Sequence, residues 1–134
     1  MASTLSLVPP DQLDDLVPEL WVSFRKMACN SGGRWEPEDV IDHIRRGVMH
    51  LWLVRDGDEL EAVALTEFHQ YPRVKSLRFA ACDGRNWRKW AHLRHEIIRW
   101  GVTNGARKIE AYAPRKWRHF FADMKEYHVM MELG

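Results

Sequence analysis

After Pro9-Pro10-Asp11, apolar residues recur at helical spacing: Leu13, Leu16, Val17, Leu20, Trp21 and Phe24. Such a stripe is what a surface helix turns toward a core. Pro18 lies inside the stripe and predicts a kink or a split into two short helices. Asn30-Ser31-Gly32-Gly33 predicts a loop. Glu36-Pro37-Glu38 opens a second helix whose apolar face is Val40, Ile41 and Ile44 and which Gly47 ends. Its proline sits in the first turn and its acids lie at the positive end of the helix dipole. From Val48 the period shortens to that of strands. Val48–Arg55 and Leu60–His69 flank the hairpin turn Asp56-Gly57-Asp58, and Val74–Ala81 comes after the turn Tyr71-Pro72-Arg73. Asp83-Gly84-Arg85-Asn86 then leads into a long helix, Trp87–Asn104, with Gly105 just past its end. Arg107–Ala113 reads as a strand, Pro114–Met124 as a short helix and Tyr127–Leu133 as a last strand. This order predicts one α/β (α+β) domain over residues 1–134, with helices packed on the sheet faces.

Composition narrows the setting without naming an activity. The 134 residues are 46% hydrophobic and 29% charged, an ordinary globular balance for a chain long enough to hold a core. No apolar run reaches the ~18 residues of a membrane helix, and the first residues lack the basic start and apolar stretch of a signal peptide. Two cysteines, Cys29 and Cys82, are too few for a disulfide scaffold and suggest a reducing, cytoplasmic compartment. The net charge of +1 is deceptive: Arg85–Arg118 holds ten Lys or Arg and two acids, whereas the rest holds ten basic and seventeen acidic residues. Seven tryptophans also stand out.

Three stretches carry a family resemblance. Leu51-Trp52-Leu53-Val54-Arg55-Asp56-Gly57 with Glu61-Ala62-Val63-Ala64-Leu65-Thr66 is similar to the second and third strands of the Gcn5-related N-acetyltransferase (GNAT) family. Trp100 to Ile109 resembles the end of that family's central helix and its fifth strand. Pro114-Arg115-Lys116-Trp117 through Glu126-Tyr127 resembles its last helix and the strand after it. The small size and Trp-rich text look most like the GNAT-like proteins of tailed phages and prophages. The resemblance implies a mixed, largely antiparallel central sheet with helices on both faces. It also implies acyl-CoA, as acetyl-CoA, bound where the family's fourth and fifth strands part, with an amine as second substrate. The pyrophosphate would rest at the helix start after the fourth strand, and Gly84, Arg85, Asn86 and Arg88 are the residues placed there. This loop departs from the family's glycine-rich signature: one glycine remains, Asn86 or Trp87 stands for the second, and Asp83 adds a negative charge that Arg85, Arg88 and Lys89 would offset. Glu67 and His69, two apart and so on one sheet face, are the candidate bases, with Glu110 a further one. The family's tyrosine acid has no counterpart, because Phe121 and Ala122 occupy its place.

The degenerate loop and missing acid leave open whether activity is retained. A non-catalytic GNAT-like protein acting as a virion component, or binding a host protein, is the alternative. A second alternative is a nucleic-acid-binding protein using the basic 85–118 segment with Trp87, Trp90, Trp100 and Trp117. Against it, Trp90, Leu93, Ile97, Ile98 and Trp100 keep core spacing. His92, His95 and Glu96 share a helix face but lack a third metal ligand, so the expected reading is a solvated face and no metal site.

Overall fold

The computed structural model describes residues 2–111. Its elements are β1 (Thr4–Val8), α1 (Leu13–Cys29), α2 (Pro37–Arg45), β2 (His50–Asp56), β3 (Glu59–Gln70), β4 (Lys75–Gly84), α3 (Trp87–Trp90), α4 (Arg94–Thr103) and β5 (Lys108–Ala111). Short 3-10 turns precede α1 and join α3 to α4. The strands form one sheet in chain order, antiparallel except for β4 and β5. That parallel step requires a crossover, which α3 and α4 supply.

The sheet is covered on both faces. Leu20 and Phe24 of α1 with Val40, Ile41 and Ile44 of α2 bury against Leu51, Leu53, Val63 and Leu65. On the opposite face Trp90, Leu93 and Ile97 pack against Trp52, Val54, Ala62, Leu77 and Phe79. Leu51-Trp52-Leu53-Val54 is therefore apolar throughout because alternate side chains enter different cores. A glycine permits the closest approach of α4: a Cβ on Gly101 would lie 2.6 Å from Leu77 Cδ2.

Three sequence expectations change. β1 is an additional strand, pairing Thr4–Val8 with Arg55–Leu51, and only the five-residue run Thr-Leu-Ser-Leu-Val hints at it. Pro18 does not divide α1. Asp14, whose carbonyl loses its partner, is exposed, so water can satisfy it. The helix expected over Trp87–Asn104 is interrupted, since Trp90 leaves helical geometry at φ −123° and a 3-10 turn comes next.

At the α4 side of β2 and β3 lies a buried polar knot. Thr66, wholly buried, accepts the indole N–H of Trp52 at 2.9 Å and pairs with His50 Nδ1 at 2.9 Å. Trp100 meets both rings edge-on, and Lys75 Nζ sits 4.0 Å over the neighbouring Phe68 ring. Burial, then the Lys75 charge, holds His50 below the usual imidazole range. Thr66→Val keeps the shape but strands the buried Trp52 nitrogen and the half-buried His50 nitrogen. Denaturant unfolding is expected to show a loss of about 1–3 kcal/mol. An unchanged midpoint would contradict the hydrogen-bond account.

Candidate active site

β4 organises the site. It pairs with β3 along its length and, among the described residues, with β5 from Ser76 to Phe79. Leu65 faces Ala81 while Thr66 faces Phe79, so Ala80 is an extra, bulged residue. A bulge bends a strand and re-aims the residues beyond it. Among the described residues, the stretch Ala80–Gly84 has no strand on the β5 side.

Past that stretch lies the loop assigned to a pyrophosphate. Gly84 belongs to β4 and pairs with Ala62, rather than lying in the expected turn. A Cβ there would come within 2.7 Å of Ala62 Cβ and 2.9 Å of Trp90 Cζ2, so this glycine admits the Trp90 ring. The Arg85 N–H donates to Glu61 O at 3.1 Å, and Arg85 O accepts the Trp90 indole N–H at 2.7 Å. Asn86 adopts φ 56°, ψ 41°, the only non-glycine residue with positive φ among those described. Asparagine tolerates that left-handed conformation better than most residues, which answers for the missing second glycine. The Lys89 N–H closes the turn on Asn86 O at 2.9 Å. Arg88 lies over the Trp87 ring, 5.0 Å from its centroid.

The cations of this loop meet acids the sequence did not single out. Arg85 pairs with Glu59 at 2.5 Å, and Lys89 with both Asp56 and Glu61, the latter at 3.2 Å. Ser3 also donates to Glu61 at 2.8 Å. These contacts hold Lys89 above its ordinary range, chiefly through Asp56, and hold Asp56 below its own, chiefly through Lys89. Glu61 is likewise lowered, first by Ser3. A cleft of about 200 Å³ adjoins the loop on the α1 side, between Ser23 and Lys26 of α1 and Asp83–Arg85.

The candidate bases gather farther back along the sheet. Glu67 faces Arg78 across the β3–β4 ladder, 3.4 Å from its guanidinium, and Arg78 lies 3.8 Å from Glu110 on β5. The Tyr71 hydroxyl donates to Glu110 at 2.7 Å, and the His69 ring meets Tyr71 edge-on at 4.3 Å. Glu67, His69 and Glu110 thus come together, with Arg78 and Tyr71 as members missed in the sequence. Arg78 stands between the apolar Leu77 and Phe79, which was the available signal; Tyr71 looked like a turn residue. Burial raises Glu110, but hydrogen bonds, Tyr71's among them, and the Arg78 charge leave it below the usual carboxylate range. Tyr71 is raised, first by Glu110.

Other candidates stand apart. His92, His95 and Glu96 are exposed, and among the described residues no three His, Cys, Asp or Glu side chains gather as a metal-ligand set. Cys82 has its thiol pushed up to about 12 by burial and then by Asp83, which leaves it unreactive as a nucleophile. Trp90 and Trp100 are packed against the sheet rather than presented for base stacking. No helix among the described residues is long and apolar enough to cross a membrane. Phe121, Ala122, Trp117 and the elements expected at Pro114–Met124 and Tyr127–Leu133 lie outside the described residues.

The sequence matches no protein-family model and no curated protein. Solved structures do resemble the fold. An aminoglycoside acetyltransferase from an uncultured soil metagenomic sample superimposes with a TM-score of 0.75 at 10% identity, covering 100% of this chain and 99% of that one. A GNAT family acetyltransferase from Staphylococcus aureus gives 0.64 at 10% identity, covering 99% of each chain. A predicted acetyltransferase from Clostridium acetobutylicum, determined with acetyl-CoA, gives 0.64 at 13%, covering 98% and 96%. At such identities the likeness establishes a GNAT-like fold.

Two outcomes test this geometry. Gly84→Ala is expected to destabilise the protein by roughly 1–3 kcal/mol through overpacking against Ala62 and Trp90, read in denaturant unfolding; no loss would mean the contact is slack. Tyr71→Phe removes a donor to the ionised Glu110 and should raise that carboxyl toward the ordinary carboxylate range, as tracked by carboxyl-carbon NMR titration. Because Glu110 is depressed in the folded state, its stabilisation is present above the unfolded value and fades as pH falls through the folded one. Tyr71→Phe should flatten that acid limb; an unchanged limb contradicts the assigned hydrogen bond.

Proposed function

We propose that this chain is an acyl-CoA-dependent N-acyltransferase, with acetyl-CoA as donor and an amine as acceptor. The observation that carries the reading is the arrangement along β4. A left-handed turn bearing Arg85, Asn86 and Arg88 lies at one end, a cluster of titratable groups lies toward the other, and between them the strand is bulged at Ala80. Glu67 and Ala62 are five positions apart on β3, so about 15–17 Å separates cluster from loop, and an extended thioester arm would bridge it. The likeness to acetyltransferases, one of them determined with acetyl-CoA, supports the same reading.

In this mechanism the loop around Gly84, Arg85, Asn86 and Arg88 holds the pyrophosphate, and either Glu67 or His69 takes the proton from the attacking amine, with Glu110 beside them. The amine nitrogen bonds to the thioester carbonyl carbon, the carbon–sulfur bond breaks, and the thiolate leaves. Arg78 sits between Glu67 and Glu110, and its charge favours the ionised form of Glu110. No acid is assigned to the departing thiolate.

A non-catalytic protein that binds a host or virion partner is the second reading. It is favoured by one observation, that Arg85 and Lys89 are already engaged by carboxylates. Calorimetric titration with acetyl-CoA separates the two. Micromolar binding, weakened about three- to tenfold by Arg85→Ala, is expected for the enzyme. Absence of heat at millimolar ligand would overturn it.

A further inference from the structure

We infer that the β2–β3 hairpin is a built-in competitor for the phosphate loop: its carboxylates hold the loop's cations in the unliganded protein and exchange places with ligand phosphate. The inference rests on the acyl-CoA reading and concerns regulation of affinity at that same site.

Placement argues for it first. The ladder pairing of Ala62 with Gly84, and the Arg85 N–H bond to Glu61 O, set the hairpin beside the loop through backbone contacts. Val54 faces Ala62 while Arg55 faces Leu60, which makes Glu61 a bulged residue. The bulge re-aims its carboxylate toward Lys89 instead of leaving it in regular alternation. Ser3 pins that carboxylate from the side. The Glu61 carboxylate is thus held by the fold itself, independently of the cation it meets.

Chemistry argues for it second. Carboxylate and phosphate offer guanidinium and ammonium groups the same kind of oxygen acceptor, so one can stand in for the other. The pairs are also graded. Arg85 and Glu59 are 62% and 67% exposed, whereas the Glu61 side chain is only 5% exposed. The outer pair can open at little cost, because exposed ion pairs contribute weakly and are exchanged easily. The inner contact of Lys89 with Glu61, whose carboxylate Ser3 also holds, keeps the loop in place while Arg85 leaves Glu59 and Lys89 leaves Asp56 for a ligand. The hairpin therefore lowers anion affinity without dismantling the site.

The test compares the full chain with the double variant D56N/E59Q, using D58N as control. Asp58 belongs to the same turn and contributes its backbone carbonyl to Arg55, and its side chain has no ion pair with the loop among the described residues. Acetyl-CoA and inorganic pyrophosphate are titrated separately by calorimetry at several salt concentrations. Acetyl-CoA is expected to bind the double variant about three- to tenfold more tightly than the parent, with a steeper loss of affinity as salt rises. The control should bind like the parent, since removing a charge without a loop contact changes little. If the parent binds acetyl-CoA and the double variant binds no more tightly than D58N, the competitor role is overturned while the acyl-CoA reading stands. If neither ligand binds any of the three proteins at millimolar concentration, the acyl-CoA reading falls and the competitor role falls with it.

Discussion

The register of β4 against β3 is the constraint on which the site depends. Ten residues of β4 run beside β3, and a slip of one position would send Arg78 into the apolar core and Leu77 to the opposite face. The same ladder sets Ala62 against Gly84, where the missing side chain leaves room for Trp90. Trp90 then reaches back to the Arg85 carbonyl and fixes where the strand becomes a loop. Register, glycine and indole form one chain of cause, from backbone pairing to the shape of a candidate anion site.

The second half of β4 owes its character to Ala80. In a regular ladder its neighbours would alternate without interruption. With one residue extra, the strand is re-aimed beyond Phe79. Both bulges of the central strands, at Ala80 and at Glu61, fall beside titratable groups: one between the loop and the Glu67–Glu110 cluster, the other beside the loop cations. Irregularity in this sheet is local.

The layered fold was legible in the sequence because its signals are long. Periodic stripes in α1 and α2, the Leu51–Val54 run and the Asp56-Gly57-Asp58 turn each span enough residues to declare an element. β1 escaped because five residues at a sheet edge alternate too briefly, and Pro18 misled because its effect depends on whether the orphaned carbonyl meets water. The candidate site was half legible. Glu67 and His69 share a face as period-two spacing requires, yet Arg78 and Tyr71 join them only through register and a turn. The partners of Arg85 and Lys89 lie 26 to 33 positions away, beyond the reach of any local pattern. Composition showed that charge was unevenly distributed. It could not show that the basic segment begins against three acids from the other portion.

Trp90 gives the site an optical property. Its ring is buried beside Gly84 and its N–H is bonded to the backbone of the loop, so the indole senses any rearrangement of Arg85 directly. Trp87, less deeply buried, carries Arg88 over its face. Together they form a pair of intrinsic chromophores, one anchored in the interior and one at the rim. A displacement of the Arg85 carbonyl would break the Trp90 hydrogen bond and so change the surroundings of an intrinsic chromophore.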